Sequence, residues 1–309
     1  MNPLVNALVK HKERFLPGHR ACAGCPIGII AKVILAATDS PVVVACATGC
    51  LEVTTTIYPF TSWNIPWIHS AFENAASTIA GVETAYRALK KKGKIKDDIK
   101  FIAFGGDGGT YDIGLQALSG AWERGHNFLY VCYNNQAYMN TGNQRSSATP
   151  LFASTTTDPV GRSRKGKQEV RKDLTAIAIA HNLSYVAQAS VSNVFDLFNK
   201  AKKALSKEGP TFINVLSPCV LNWRYDPSKT IEVAKAAVET RFWPLYEYDE
   251  GKYKLNYKPK SYKPIEEFLK YQRRYRHLLK EENKPLLERL QKQIDREWEK
   301  ILKLCGENG

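Results

Sequence analysis

The chain has 309 residues, of which 44% are hydrophobic and 24% are charged, and its net charge is +14. This length allows a sizeable core. The longest apolar runs are too short to span a bilayer, and the first residues lack the apolar core of a signal peptide. We therefore expect a cytoplasmic protein that does not enter membranes. A positive charge of this size suggests nucleic acid as a possible partner. However, half of the surplus lies in residues 251–309, which contain 16 Lys and Arg against 9 Asp and Glu. No nucleic-acid-binding motif accompanies this charge, so we expect no nucleic acid as a partner.

The first chemical motif along the chain is a cysteine pair. Cys22 and Cys25 enclose Ala23 and Gly24, and a CxxC turn of this kind brings two thiolates onto one metal centre. Alone, the pair is equally consistent with a redox-active site or half of a zinc site. Residues 27–37 then predict a buried helix, and residues 42–46 predict a buried parallel strand, which places Cys50 just beyond the carboxyl end of that strand.

Residues 101–144 carry the strongest pattern in the sequence. An apolar run breaks into a glycine turn around Asp107, and an amphipathic segment and a second apolar run follow, ending at Asn134 and Asn135. This order predicts strand, turn, helix, strand and polar turn. Backbone amides of such a glycine turn can approach a diphosphate, and the oxygens of Asp107 and Asn135 are ligands that suit Mg²⁺.

The remaining pattern completes an α/β fold. Residues 141–167 predict a long irregular loop, and residues 171–216 then alternate between helices and strands. Strands that begin near residues 42, 101, 128, 183 and 211 predict a doubly wound, mainly parallel sheet. We divide the chain into an α/β domain, residues 1–222, and a partly helical C-terminal extension, residues 223–309, in which no further strand is predicted. An amphipathic helix that starts at Lys284 and Pro285 is expected to pack on a partner subunit or on the domain itself.

The predicted topology gathers the polar groups at one edge of the sheet. Cys50 and Cys219 each follow a strand, as do Asp107 and Asn135, and the carboxyl ends of parallel strands lie on one side. The CxxC pair could join the two cysteines there and complete the four thiolates of a [4Fe–4S] cluster. The other three cysteines, which are Cys46, Cys132 and Cys305, are expected to be core or incidental residues.

Five segments together resemble the β subunits of pyruvate:ferredoxin oxidoreductases, which belong to the 2-oxoacid:ferredoxin oxidoreductase family. The segments are CAGC at 22–25, ATGCLE at 47–52, GDGGTYDIG at 106–114, NNQAYMNTGNQRSSATP at 134–150 and LSPC at 216–219. The resemblance extends over residues 15–278 and implies a thiamine-diphosphate-binding domain of the diphosphate type. By matching position, the resemblance implies Cys22, Cys25, Cys50 and Cys219 as cluster ligands. It implies Asp107, Asn135 and the carbonyl of Ala137 as Mg²⁺ ligands, and Gly106, Gly108 and Gly109 as the diphosphate turn. It also implies Asn140 as the catalytic residue that contacts the 2-oxoacid and the cofactor.

The resemblance also implies a reaction and partners. The reaction is the reversible oxidative decarboxylation of pyruvate with CoA to acetyl-CoA and CO₂, and the electrons pass through the cluster to ferredoxin. Thiamine activation needs a carboxylate from a pyrimidine-binding domain, and the sequence contains only one α/β module. We therefore expect an obligate hetero-oligomer in which an α subunit supplies that domain, with γ and ferredoxin-like δ subunits.

Alternatives remain open at the level of the sequence. Asn143 and residues 220–222 depart from the pattern of the family near the expected pocket, so oxalate or another 2-oxoacid is an alternative substrate. A second alternative is a thiamine-diphosphate enzyme subunit without redox clusters, in which the cysteines are structural. The third is a basic, non-enzymatic scaffold with a zinc site that binds nucleic acid.

Overall fold

The computed structural model describes residues 2–307, and its centre is one twisted sheet. In the described residues the sheet has eight strands in the order β2-β1-β3-β4-β6-β5-β7-β8. All neighbours from β2 to β5 pair in parallel, whereas β7 and β8 are antiparallel to their neighbours. The strands are β1 Val42–Ala47, β2 Trp67–Ser70, β3 Lys100–Gly106, β4 Leu129–Asn134, β5 Tyr185–Ser190, β6 Thr211–Leu216, β7 Tyr246–Asp249 and β8 Lys252–Leu255.

Helices cover both faces of the sheet and bury a separate core on each face. Successive strand side chains point to opposite faces, so Tyr133 of β4 enters one core while Tyr130 and Cys132 enter the other. No helix within residues 2–307 is long and apolar enough to cross a membrane. The helices are α1 Pro3–Lys10, α2 Ile27–Leu35, α3 Cys50–Thr55, α4 Ala75–Lys91, α5 Leu115–Glu123, α6 Leu174–Ala180, α7 Val194–Ser206, α8 Val220–Trp223, α9 Thr230–Glu239, α10 Glu266–Leu269 and α11 Lys284–Leu304.

The α/β prediction is confirmed, and all five predicted strands are present as β1, β3, β4, β5 and β6. Helices cover both faces of these strands, so nearly all of their side chains are buried. The strands could therefore be predicted from continuous apolar runs in the sequence. Residues 141–167 contain no helix and no named strand, as their composition indicates.

Three short strands were not predicted. β2 is an edge strand of four residues at the end of an aromatic segment, residues 54–69, and Pro66 directly before it is a residue typical of loops. β7 and β8 form a hairpin whose two-residue turn, Glu250 and Gly251, has positive φ at both positions, as tight hairpin turns require. Because this hairpin pairs with β5, the C-terminal extension contributes to the same sheet. The division at residue 222 stays a prediction.

The amphipathic helix α11 packs on its own chain. Leu290 and Ile294 enter a third core that α9 and α10 also line. Two ion pairs fasten the polar side of the helix, Arg171 to Glu297 at 2.9 Å and Arg241 to Asp295 at 2.7 Å. Of the two positions expected for this helix, the structure has the intramolecular one.

Truncation of the apolar face of α11 tests the contribution of the third core. Ile294 is 3% exposed, so Ile294→Ala leaves a cavity, and we expect the free energy of unfolding to fall by about 2–5 kcal/mol. Denaturant unfolding of the purified chain measures this change. Lys292→Ala, on the exposed side of the same helix, is the matched control and should change stability by less than about 0.5 kcal/mol. Equal effects of both substitutions would contradict the packing of α11 described here.

Candidate active site at the carboxyl edge of the sheet

A buried carboxylate joins the ends of β3 and β4. Asp107 follows the last residue of β3, begins a π-helical turn at Gly108–Ile113, and is 0% exposed. Its Oδ1 accepts hydrogen bonds from the backbone amides of Asn135 at 3.0 Å and Gln136 at 3.1 Å. Its Oδ2 accepts from the Ser146 hydroxyl at 2.5 Å. The carboxylate is therefore fixed in place by the polar turn that follows β4.

The side-chain amide of Asn135 faces this carboxylate. One terminal atom of the amide lies 2.8 Å from Asp107 Oδ1 and 2.9 Å from the carbonyl oxygen of Ala137. As nitrogen, that atom donates to both oxygens; as oxygen, it makes a set of three oxygens that needs a cation between them. Adjacent ligands of octahedral Mg²⁺ with bonds near 2.1 Å are about 3.0 Å apart. The spacing of the three groups therefore fits Mg²⁺.

The glycine turn beside this set leaves no room for side chains. A Cβ on Gly108 would lie 2.4 Å from the ring of Tyr138, and one on Gly109 would lie 3.0 Å from the carbonyl oxygen of Phe72. Only glycine fits at position 108. The backbone of the turn, free of side chains, faces a cavity, as a diphosphate site requires.

Some of the predicted site residues line this cavity, whereas the fully buried Asp107 is not among its lining residues. Asn140 is exposed at its rim, on the turn that follows β4, and Cys50 lies in its wall at the start of α3. The cavity is lined by residues at the ends of four neighbouring strands, β2, β1, β3 and β4, which are Thr48, Gly49, Cys50, Phe72, Gly106, Gly108, Gly109, Tyr133, Asn135, Ala137, Tyr138, Met139, Asn140 and Thr141.

The four predicted cluster ligands lie together next to the cavity. The thiol of Cys50 interacts electrostatically with those of Cys219, Cys25 and Cys22. Burial, together with the neighbouring thiols, raises the pKa of Cys25 and of Cys50 to about 12. Backbone amides oppose this shift, since Ile27 donates towards Cys25, and Leu221 and Asn222 donate towards Cys219. Amide groups that point at sulfur are suited to stabilise metal-bound thiolates.

The CxxC loop is held by the segment that follows Cys219. Gly24 has φ of +75°, and a Cβ there would lie 2.3 Å from the carbonyl oxygen of Pro227. The Thr230 hydroxyl donates to the carbonyl oxygen of Gly24 at 2.6 Å. These contacts position Cys22 and Cys25 against the end of β6.

Four thiolates can ligate a single zinc ion or a [4Fe–4S] cluster. Among residues 2–307, no three His, Cys, Asp or Glu side chains are arranged to hold one metal ion. In a [4Fe–4S] cluster each thiolate binds a different iron atom, so the sulfurs lie farther apart than around one zinc ion. Three cysteines lie outside the set. Cys46 and Cys132 are fully buried in the core, as expected, and Cys305 lies after α11 and is partly exposed.

Comparison with known proteins identifies the family. The family model "Thiamine pyrophosphate enzyme, C-terminal TPP binding domain" matches residues 24–215. The chain is 54% identical to pyruvate synthase subunit PorB of Thermotoga maritima, covering 93% of this chain and 90% of the relative. It is 55% identical to PorB of Methanocaldococcus jannaschii, covering 92% and 95%. The chain belongs to the PorB family of pyruvate synthase subunits.

Two further matches place this PorB-family chain among related enzymes. The ketoisovalerate oxidoreductase subunit VorB of Pyrococcus abyssi is 43% identical over 95% of this chain and 94% of its own length. A solved structure of 2-oxoglutarate:ferredoxin oxidoreductase from Magnetococcus marinus, with 2-oxoglutarate, coenzyme A and succinyl-CoA bound, has a TM-score of 0.57 at 21% identity, covering 76% of this chain and 80% of that one. At this identity the structural match shows the shared fold. The resemblance seen in the sequence is confirmed at the level of the family.

The structure adds supporting residues that the sequence did not single out. The guanidinium of Arg274, which is 6% exposed, donates to Gln136 Oε1 at 2.6 Å and stacks 3.8 Å from the centre of the Trp223 ring. The Trp223 indole in turn donates to the carbonyl oxygen of Asn135 at 3.0 Å. Burial lowers the pKa of Arg274 to about 10. The C-terminal extension of this PorB-family chain thus buttresses the Asn135 turn, and no local pattern in the sequence marks Arg274 for that role.

The charge of Asp107 should make Mg²⁺ binding depend on pH. Burial raises the pKa of Asp107 from 3.8 to about 7, although hydrogen bonds from Ser146 and Asn135 oppose the shift. Because the folded-state pKa exceeds the unfolded one, the metal-free fold loses stability as the pH rises from about 4 to about 7. Mg²⁺ needs the carboxylate and must displace its proton below pH 7. We therefore predict that affinity for Mg²⁺ alone rises about tenfold per pH unit up to about pH 7 and then levels off.

Thermal shift of the purified protein with increasing MgCl₂ measures this dependence. Asp98→Asn, at an exposed aspartate that pairs with Lys90 and Lys100, should retain the slope. An affinity that stays constant between about pH 5 and pH 7 would show that Asp107 is already ionised in the metal-free protein.

Proposed function

We propose that this chain is the β subunit of a 2-oxoacid:ferredoxin oxidoreductase whose complex reversibly converts pyruvate and CoA to acetyl-CoA and CO₂. Electrons would pass through a [4Fe–4S] cluster to ferredoxin. One observation carries the proposal: Cys50, Asn135 and Ala137 line a single cavity. Carbon chemistry and electron acceptance would therefore occur side by side.

The oxygen set would hold thiamine diphosphate through Mg²⁺. Asp107, Asn135 and the carbonyl of Ala137 would bind the metal, and the backbone at Gly106, Gly108 and Gly109 would approach the diphosphate. When bound, thiamine diphosphate supplies the electron sink that decarboxylation of a 2-oxoacid needs. The protein orients both partners, and Asn140, exposed at the cavity rim, would donate its amide hydrogen to the 2-oxoacid.

Cys22, Cys25, Cys50 and Cys219 would hold the cluster. When bound, a [4Fe–4S] cluster accepts electrons one at a time. The mutual electrostatic contacts of the thiols and the amides that point at Cys25 and Cys219 support this assignment. Burial of Cys25 and Cys50 hinders their ionisation without metal, so these two thiols are suited to ligation and poorly suited to free thiolate chemistry.

The chain would act within a hetero-oligomer. It spans 90% and 95% of two PorB relatives, which are named as subunits of pyruvate synthase. Residues 2–307 contain one sheet and one diphosphate-type module, so an α subunit would supply the pyrimidine-binding domain and its activating glutamate. A γ subunit, a ferredoxin-like δ subunit and ferredoxin itself would complete the assembly.

The VorB relative keeps a second substrate class open. A subunit of a ketoisovalerate oxidoreductase is 43% identical to this chain, so a branched 2-oxoacid is the main alternative to pyruvate. Asn143, three residues after Asn140, has φ of 66°. It is a polar residue at a position where this chain departs from the pattern of the family, and it would suit oxalate as the substrate. A thiamine enzyme without clusters is the non-redox alternative.

Purification of the native complex without oxygen tests the proposal. We expect iron and acid-labile sulfide in the complex, tight binding of thiamine diphosphate, and CoA-dependent reduction of ferredoxin by pyruvate. Assays with 3-methyl-2-oxobutanoate, 2-oxoglutarate and oxalate under the same conditions define the substrate. A complex that binds thiamine diphosphate but contains no iron would establish the non-redox alternative, and faster turnover of another 2-oxoacid would replace pyruvate.

A further inference from the structure

The hydroxyl hydrogen of Tyr133 is buried without an acceptor. Tyr133 is the penultimate residue of β4, and its side chain is 1% exposed. No atom among residues 2–307 accepts a hydrogen bond from its Oη. Buried tyrosine hydroxyls almost always have a partner, because leaving the group unpaired costs about 1–3 kcal/mol. The missing partner is therefore expected to be a group that forms only when the site is loaded.

The position of this hydroxyl narrows the choice of acceptor. A Cβ on Gly49 would lie 2.5 Å from Tyr133 Oη, so the hydroxyl lies directly against the residue that precedes Cys50. Tyr133, Gly49 and Cys50 line the same cavity. The nearest backbone group that acts on the phenol is the amide of Leu51, which can only donate. The phenolic hydrogen thus remains free.

Two sulfur atoms interact electrostatically with the phenol, those of Cys46 and Cys50. Cys46 is fully buried in the core, and its thiol hydrogen points at the carbonyl oxygen of Ala47, 3.7 Å from the sulfur. Cys50 borders the cavity and is one of the four clustered thiols. Once Cys50 binds iron, its sulfur becomes an anionic acceptor, whereas that of Cys46 stays a neutral thiol.

We propose that Tyr133 is a positioning residue that donates its hydroxyl hydrogen bond to the Cys50 sulfur of the loaded cluster. The inference rests on the proposed function. A hydrogen bond to a ligand sulfur stabilises the more negative, reduced cluster and so raises its reduction potential. Tyr133 would thereby adjust the electron acceptor from within the cavity that holds the carbon chemistry.

Tyr133→Phe in the oxygen-free complex tests the hydrogen bond. We expect the reduction potential of the cluster in this chain to become more negative, with unchanged affinity for thiamine diphosphate and an unchanged melting temperature. A redox titration followed by electron paramagnetic resonance, without 2-oxoacid, measures the potential. The signal of this cluster is identified as the one that Cys219→Ser removes.

Tyr130→Phe is the matched control. Tyr130 is on the same strand and equally buried, but it faces the other core, and its hydroxyl lies 3.2 Å from the Thr110 hydroxyl. Its removal should leave the potential unchanged. A second variant carries 3,5-difluorotyrosine at position 133, which keeps the hydroxyl and makes it a stronger donor, so the potential should become less negative.

The outcomes separate this inference from the proposed function. Absence of iron from the wild-type complex would defeat the proposed function and this inference with it. A loaded wild-type cluster whose potential is the same in both Tyr133 variants would overturn only the role of Tyr133. A loss of thiamine diphosphate affinity without a change in potential would also overturn it, because the acceptor would then be the cofactor. If Tyr133→Phe fails to load a cluster, the difluorotyrosine variant still decides, since an unshifted potential there contradicts the hydrogen bond.

Discussion

Asp107→Asn is expected to weaken the Mg²⁺-dependent binding of thiamine diphosphate by at least about 100-fold and to abolish turnover of 2-oxoacid. The amide has the shape of the carboxylate, and its oxygen can still accept from the backbone amides of Asn135 and Gln136. The fold should therefore persist. What is lost is the negative charge in the three-oxygen set, because an amide cannot balance the charge of Mg²⁺ in a buried site.

Isothermal titration of thiamine diphosphate into the complex, at fixed Mg²⁺, measures this change. The exposed Asp98→Asn variant is the control for loss of one carboxylate and should bind the cofactor normally. The melting temperature of the Asp107→Asn complex without cofactor should equal or exceed that of the wild type at pH 8, because a buried charge has been removed. Normal cofactor affinity in this variant would show that Asp107 is not a metal ligand.

Cys219→Ser is expected to remove the cluster and to reduce ferredoxin reduction to background, while binding of Mg²⁺ and thiamine diphosphate is retained. Serine is a poor iron ligand compared with thiolate, and the thiol it replaces lies among Cys22, Cys25 and Cys50. The oxygen set belongs to the turns after β3 and β4, whereas Cys219 follows β6. The two sites should therefore fail independently.

Iron analysis, visible absorbance and cofactor titration on the same preparation measure both sites. Cys305→Ser, beyond the end of α11, is the matched control and should keep a full complement of iron. Retention of a normal cluster in Cys219→Ser would show that another residue completes the ligand set. Loss of thiamine diphosphate binding together with the cluster would instead indicate that the variant unfolds locally at the end of β6.

The parts of this fold that could be predicted are those with strong local signals. Buried, largely apolar runs predicted β1, β3, β4, β5 and β6, and because these strands are parallel, their carboxyl ends had to lie at one edge of the sheet. That argument alone placed Asp107 and Asn135 with Cys50 and Cys219. The strands that were not predicted, β2, β7 and β8, have only four residues each, and β2 and β8 are the two edges of the sheet.

The supporting groups of the site could not be predicted, since they depend on contacts between distant segments. Ser146 reaches Asp107 from an irregular loop, and Arg274 reaches Gln136 from the C-terminal extension, 138 residues along the chain. Tyr133 reads in the sequence as an ordinary strand residue next to Asn134. Only the lack of an acceptor for its hydroxyl hydrogen, a three-dimensional property, distinguishes it from Tyr130.

The contact between Gly24 and Thr230 also bears on the order of events during synthesis. These two residues are 206 positions apart, and the hydrogen bond between them holds the CxxC loop against the end of β6. A ribosome releases residues 22–25 long before it makes residues 219–230. The loop can therefore reach its final position only when about three quarters of the polypeptide has been made and β6 has joined the sheet. Delivery of iron and sulfide to the proposed cluster site would consequently be a late event, which follows formation of the sheet.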